Sequence, residues 1–315
     1  MITLTLLLVA CSSDSAGESF PSDDIKIIVH TSSGGPTDLM AREVAKAIEE
    51  VTNSTVIVEN KPGGSGATAM NDVYSSKSDG YTLGAMTPSQ IGLINGTLAN
   101  QYTLDEFTWV SRSQIDPYVL VTQADSPYDN IEDVIDQLEV ESNSINVGGY
   151  GATGSAHNIS WNIFAEAANI EANWTPYEST GDAVTALLGG HIDMANSNPG
   201  QVSQYVDSGE LQILAVNAEE RLEEFPDVPT LIELGFDVDT DWVQFRGLFG
   251  PKDLPSNVLA EWDQILEEVY NTESYQTYME NAYMVEGYMP HDEFYEYIDK
   301  QDTLTSEWYD TLGID

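Results

Sequence analysis

The sequence predicts an α/β protein of two domains joined by two chain crossings. Short apolar β-rich runs alternate with amphipathic stretches nearly to the C-terminus, which is the pattern of strand–helix layers. The connections between them are short, as parallel strands joined through helices require. One further strand-like run, Gln244 to Phe249, follows a second strand–helix series and leads back to the first.

The elements read as follows. Ile25 to Val29 is a buried strand, and Leu39, Val44, Ile48 and Val51 then recur at near-helical spacing. Val56 to Val58 is the next strand, ended by the breaker Lys61-Pro62-Gly63-Gly64. A helix through Met70 and Val73 leads by way of Asp79-Gly80 into a strand from Tyr81 to Met86. Trp109-Val110 and Tyr118 to Thr122 are further strands. The second series starts near Ile145 and continues through Ala172 to Tyr177, Ile192 to Ala195 and Leu211 to Asn217. After Pro255, the stripe Val258, Trp262, Ile265, Leu266 and Val269 marks a helix, with more helix through Trp308. The expected organisation is 1–22 as signal and tether, 23–122 plus 244–315 as domain 1, and 123–243 as domain 2. A cleft between two such domains suits a small ligand.

The chain has 315 residues, 41% of them hydrophobic, which supplies cores for domains of this size. Its 53 acidic residues against 10 Lys and Arg give a net charge of −43. The acids are spread along the chain rather than gathered in a tail, so they read as a solvated surface suited to high salt, as in a halophile. Nucleic acid is not an expected partner, because binding it needs clustered Lys and Arg.

The single cysteine, Cys11, excludes a disulfide framework. Met1 to Ala10 resembles the apolar part of an export signal without its basic start, as a mis-called start codon or a truncated gene would leave it. Leu8-Val9-Ala10-Cys11 resembles a lipobox, which makes Cys11 the expected lipidation site, followed by a small polar tether from Ser12 to Ser19. The mature protein is then expected to sit outside the cytoplasm, anchored to the membrane by lipid.

Four Gly-, Ser- and Thr-rich loops follow strands and open helices. They are Thr31-Ser32-Ser33-Gly34-Gly35-Pro36-Thr37-Asp38, Pro62 to Gly66, Gly148 to His157, and Glu178-Ser179-Thr180-Gly181-Asp182. Glycine admits a ligand close to the backbone, and helix N-termini offer free N–H groups with partial positive charge. Several facing one cleft can hold a carboxylate without lysine, despite the overall charge. The same loops also serve as plain helix-entry turns. Arg246, one of only four arginines, lies in the return crossing. There it either clamps a carboxylate with two prongs or forms a structural ion pair.

Catalytic constellations are thin. The four histidines are dispersed without the spacing of a metal site. Gly63 to Ala67 misses a nucleophile elbow, and no Gly-rich loop carries a Walker lysine. Gly149-x-Gly151-x-x-Gly154 matches a dinucleotide fingerprint, with Glu178 as its distant acidic partner, and leaves a nucleotide-binding enzyme as one alternative. The expectation is no catalysis, no metal and no cofactor.

In order, these segments resemble the receptors of tripartite tricarboxylate transporters, the Bug or TctC-like family. The family's Pro-Phe-x-x-Gly-Gly-x-x-Asp is similar to His30-Thr31-Ser32-Ser33-Gly34-Gly35-Pro36-Thr37-Asp38. Its Glu-Asn-Arg-Pro-Gly-Ala-Gly-Gly resembles Glu59 to Gly66, and Asp-Gly-Tyr-Thr-Leu stands intact at Asp79 to Leu83. Leu187 to Asp193, and Asp227-Val228-Pro229-Thr230 through Gly235, continue the likeness, which runs from about Asp24 to the C-terminus.

The resemblance implies a type II periplasmic-binding fold with two crossover strands and hinge closure on a small carboxylate. It also implies integral membrane transporter subunits as partners. The ligand positions it implies are Ser32, Ser33, Gly34, Gly35, Thr37 and Asp38 with neighbouring Thr31, then Thr87 and Ser89. In the second series they are Gly151, Thr153, Gly154, Ser155, Ala156 and His157, then Tyr177, Gly181 and Asp182, with Asn196 and Ser197 after the next strand. His30 and Thr31 replace Pro-Phe, removing an aromatic wall beside the pocket. Asp38 would repel an anion placed against it, so it is expected to cap its helix or to bind through water or an amino group. A ligand sensor of the same fold is a further alternative.

Overall fold

The protein is seen in a computed structural model, which describes residues 20–314. Met1 to Ala10, Cys11 and the tether to Ser19 lie outside the described residues. The chain runs β1 (Ile25–Val29), α1 (Pro36–Thr52), β2 (Val56–Asn60), α2 (Ala67–Tyr74), β3 (Thr82–Met86), α3 (Ser89–Asn95), β4 (Phe107–Asp116) and β5 (Tyr118–Gln123). It continues through α4 (Ile131–Val140), β6 (Asn146–Tyr150), α5 (Ala156–Ala167), β7 (Asn173–Tyr177), α6 (Thr180–Leu188), β8 (Met194–Ser197), α7 (Pro199–Asp207) and β9 (Leu211–Asn217). It ends with β10 (Gln244–Pro251), α8 (Ser256–Tyr270), α9 (Glu273–Asn281), β11 (Val285–Met289) and α10 (His291–Leu312).

Two sheets organise these elements, in the orders β11-β4-β10-β3-β1-β2 and β7-β6-β8-β5-β9. Each is covered on both faces, and the strand sequences show why. Ile25, Ile27 and Val29 point to a core with Met40 and Val44 of α1 and with Trp262 and Leu266 of α8. Ile28 points the other way, to Met70, Trp109, Phe249 and Phe294. In the second sheet, Tyr118 and Leu120 join Val134 and Phe164, while Val119 and Val121 join Val184, Leu187 and Val202. This alternation is the two-residue period of a strand buried on both sides.

Helix starts follow from local chemistry. Pro36 occupies the first turn of α1, where its missing N–H costs nothing. Asn130, Ser179 and Thr272 cap α4, α6 and α9 with side-chain oxygens. The expected strand–helix series is therefore present throughout.

The structure differs from the expectation at three places. The first crossing falls at Pro117, so Tyr118–Gln123 is a strand of the second sheet, and the boundary expected at residue 122 moves back to Pro117. β11, half-buried at the edge of the first sheet, is a strand that the sequence pattern does not predict. Finally, α10 begins against Phe245 of the first sheet, but its Leu304, Trp308 and Leu312 pack on the core of the second. The C-terminal helix therefore belongs to both domains.

β1, β3 and β4 end at one edge of the first sheet, where antiparallel β10 begins. β6, β8 and β9 end at one edge of the second, where antiparallel β5 begins. The crossings Asp116 to Tyr118 and Asn217 to Gln244 join these edges, so the carboxyl ends of the strands face one another across a cleft. That is where α/β sheets place ligands. Among the described residues, no helix is long and apolar enough to cross a membrane.

Candidate functional site

Arg246 stands at the start of β10 and is buried at 6% exposure. Its Nη2 donates to Asp116 Oδ2 at the end of β4, and its Nη1 donates to Thr37 Oγ1 at 2.7 Å. Asp116 also accepts from Gln114 Nε2 at 3.1 Å. The guanidinium thus has a built-in counter-ion, while its Nε is buried without a partner. Of the two readings expected for Arg246, the structural ion pair is present, and one guanidinium donor is left over.

The first loop is held by Asp38. Its carboxylate accepts from Gly34 N–H at 2.8 Å, Arg42 Nε at 2.9 Å and Asn60 Nδ2 at 2.8 Å, and the residue is 1% exposed. Burial alone would raise its pKa, but these three donors outweigh it and hold the carboxyl below its ordinary value. Asp38 therefore acts inside the loop. Asn60 also donates to Thr31 O at 3.0 Å, and Gly34 takes the left-handed conformation, φ +89°, that the turn requires. Ser32, Ser33 and Gly34 are exposed, and the Thr31 hydroxyl is buried without a partner.

Beside it, Gln90 Oε1 accepts from Thr87 N–H at 2.8 Å, and Thr87 Oγ1 lies 2.7 Å from Ser89 Oγ. The Gln90 Nε2, fully buried, has no partner. A side chain on Gly66 would collide with that nitrogen at 2.8 Å, so the second Gly-rich loop makes room for it. His30 points Nδ1 at Ala85 O, 3.2 Å away. Burial, with a contribution from the Arg246 charge, pushes its pKa down to about 4.

On the second domain, Ser155 caps α5 and donates to Tyr150 O at 2.8 Å, which closes the Gly151 to Ala156 loop. His157, in the first turn, is 3% exposed, and its Nε2 lies 3.1 Å from Asn198 Oδ1 and 3.4 Å from Thr180 Oγ1. The rings of Tyr118 and Tyr150 meet it edge-on at 5.0 and 5.9 Å. Its pKa is also pushed down to about 4, by burial and to a smaller degree by Arg246. The Arg246 charge contributes to both shifts, so His30 on the first domain and His157 on the second lie within reach of one guanidinium.

Asn196 Nδ2 donates to His157 O at 3.1 Å, leaving its Oδ1 unpaired, and the Ser197 hydroxyl is unpaired too. Asp182 is half of a cap, accepting from Ser179 Oγ at 2.7 Å, and Tyr177 packs against Gly148. The glycines of the fingerprint serve packing: a Cβ on Gly149 would meet Trp174 at 2.3 Å, and one on Gly154 would meet Ile314 at 2.3 Å. Among the described residues, no group of three His, Cys, Asp or Glu is placed to hold a metal.

Several site residues escaped the sequence reading. Asp116, Gln90, Asn198 and Asn217 are buried polar groups at strand ends or helix starts on the cleft edge. Asn198 Nδ2 bonds the carbonyls of Asp116 and Pro117, both at 3.1 Å, and so ties α7 to the first crossing. The run Asn196-Ser197-Asn198-Pro199, polar residues closing an apolar strand, was the available signal.

Comparison with known proteins agrees with this architecture. The family model described as "Tripartite tricarboxylate transporter family receptor" matches residues 40–307. Protein BugT of Bordetella pertussis is 30% identical over 224 residues, covering 70% of this chain and 68% of its own. A UPF0065 protein of Cupriavidus necator is 27% identical over 289 residues, 91% of this chain and 86% of its own. The crystal structure of a TctC solute-binding protein from Polaromonas superposes with a TM-score of 0.80 at 26% identity, covering 93% of this chain and all of that one. Two more distant structures share the fold. MatC of Rhodopseudomonas palustris has bound malate (TM-score 0.71, 22% identity, 91% of this chain and 100% of that one). An R. palustris protein has adipate (TM-score 0.78, 21% identity, 93% and 98%). The chain, with its two-domain periplasmic-binding fold, belongs to the receptor family of the tripartite tricarboxylate transporters.

Proposed function

We propose that this protein captures a small organic carboxylate outside the cytoplasm and hands it, unchanged, to the integral membrane subunits of a tripartite tricarboxylate transporter. The observation that carries the reading is the set of buried, unpartnered polar atoms on the two cleft edges: Thr31 Oγ1, Gln90 Nε2 and Arg246 Nε on one, His157 Nδ1, Asn196 Oδ1, Ser197 Oγ and Asn217 Oδ1 on the other. Buried polar groups are ordinarily paired, so a cluster of unpaired ones is a place where something polar docks. Donors beside a guanidinium that is already neutralised suit a carboxylate, held by hydrogen bonds more than by net charge. The malate and adipate of the two fold relatives are ligands of this class. Lipidation at Cys11 would keep the receptor at the membrane near its transporter.

The test is a thermal-shift screen of the mature protein in molar salt against di- and tricarboxylates, other carboxylates and NAD. A ligand at a hundredfold its Kd adds about 2.7 kcal/mol, a readily visible rise in Tm. A carboxylate that raises Tm and is recovered intact supports capture without chemistry. Silence from every carboxylate with a response to NAD would overturn it in favour of the glycine fingerprint.

A further inference from the structure

Within that reading of the cleft, we propose that the ligand carries a hydrogen-bond donor, a hydroxyl or an ammonium group, in addition to its carboxylate. His157 selects for that donor by presenting a bare ring nitrogen.

The tautomer of His157 follows from its neighbour. The Asn198 amide nitrogen donates to two backbone carbonyls, Asp116 O and Pro117 O, each at 3.1 Å. The amide is therefore fixed with Oδ1 toward the ring, 3.1 Å from His157 Nε2. An amide oxygen can only accept, so the ring proton sits on Nε2. Nδ1 is left with a lone pair, is buried, and has no partner. The low pKa of the ring keeps a second proton off this atom at neutral pH.

His157 is not alone in this polarity. Asn196 has its amide nitrogen committed to His157 O, so its free Oδ1 is another pure acceptor. Asn217 Oδ1, at the end of β9 on the same edge, is a third. The first domain shows the opposite pattern, with Gln90 Nε2 and Arg246 Nε as unpaired donors. A ligand that satisfies both faces has acceptors on one side and at least one donor on the other. An unsubstituted dicarboxylate has no donor when ionised, and it would leave His157 Nδ1 buried and unpaired. A site built to bond a donor rejects the analogue lacking it more strongly than a merely roomy pocket does.

The experiment is calorimetric titration of the mature protein in molar NaCl with skeleton-matched acids: malate and aspartate against succinate, citrate against tricarballylate, mandelate against phenylacetate. Within the skeleton that fits, the donor-bearing acid is expected to bind about tenfold tighter or more. His157→Phe keeps a ring between Tyr118 and Tyr150 but removes the lone pair, and the preference should shrink to about threefold or less. His157→Asn, which keeps a polar atom near the Nδ1 position, should restore part of it. Equal wild-type affinities for both members of a binding pair overturn the proposal, as does a preference that survives His157→Phe. Equal binding leaves carboxylate capture standing, whereas failure of every carboxylate to bind removes both readings together. If His157→Phe does not fold, the matched pairs on the wild-type protein decide alone.

Discussion

The Arg246–Asp116 ion pair joins the two crossings of the chain. Asp116 ends the strand that leads into the second domain, and Arg246 lies at the start of the strand that returns from it, with both side chains almost fully buried. Breaking a buried pair from one side strands the other charge, at about 3–5 kcal/mol. Asp116→Asn and Arg246→Ala should each lower stability by that order, read by urea denaturation. Their effects on binding should diverge. Asp116→Asn uncovers the guanidinium and tightens carboxylate binding, whereas Arg246→Ala weakens it. The double variant Asp116→Leu/Arg246→Met should regain most of the stability and none of the affinity. Affinity returning with stability would make the pair purely structural.

Asp38 is expected to act through the shape of its loop. Asp38→Ala removes the shared acceptor of Gly34 N–H, Arg42 Nε and Asn60 Nδ2, which keeps only its bond to Thr31 O, a loss of about 1–3 kcal/mol. Affinity should fall with it, and Asn60→Ala should lower affinity in the same direction, because Asn60 also holds Thr31 O. The folded carboxyl titrates below its ordinary value of 3.8. Its stabilisation is therefore present above that value and lost as pH falls through the lower folded one. An Asp38→Ala protein with unchanged melting but abolished binding would instead place the carboxylate against the ligand.

These two residues show what the sequence can and cannot display. The strands were legible because runs such as Ile25 to Val29 and Leu211 to Asn217 are apolar on both faces, and the loops because glycine and proline punctuate them. Asp38 was legible as a paradox, a carboxylate in a loop expected to bind an anion. Its resolution needed Asn60, 22 residues away, which no local pattern supplies. Asp116 was hidden among 53 acids, since a buried carboxylate and a solvated one look alike until an arginine 130 residues later is seen beside it. β11 was hidden because an edge strand that is only half-buried carries a weak alternation.

Acid should destabilise the fold through its two cleft histidines. His30 and His157 bind protons with pKa values near 4 in the folded protein, against 6.5 ordinarily. The unfolded chain therefore binds more protons between these values, and stability falls as pH drops from about 6.5 to 4, by roughly 3 kcal/mol per site at most. Below pH 4 this contribution levels off. His30→Phe, which also restores an aromatic ring beside the pocket, should remove about half of the slope. A flat stability profile between pH 7 and 4.5 would contradict the low pKa values of the two rings.

Salt should stabilise the protein, and by screening more than by exclusion. The few cations are largely spoken for, with Lys61 between Glu59 at 2.8 Å and Asp72 at 3.4 Å, Arg221 on Glu233 at 2.7 Å and Lys252 on Glu106 at 3.0 Å. Among the described residues most of the carboxylates behind the net charge of −43 have no such partner and repel one another across the surface. The Debye length falls from about 10 Å at 0.1 M to about 3 Å at 1 M salt, less than the spacing of most surface charges. Tm should therefore rise steeply over the first molar of NaCl and flatten beyond it. Sucrose at matched osmolality favours burial by exclusion but screens nothing, so it should give the smaller rise. Equal effects of the two would mean that self-repulsion is already offset within the fold, and that the acidic surface sets solubility without limiting stability.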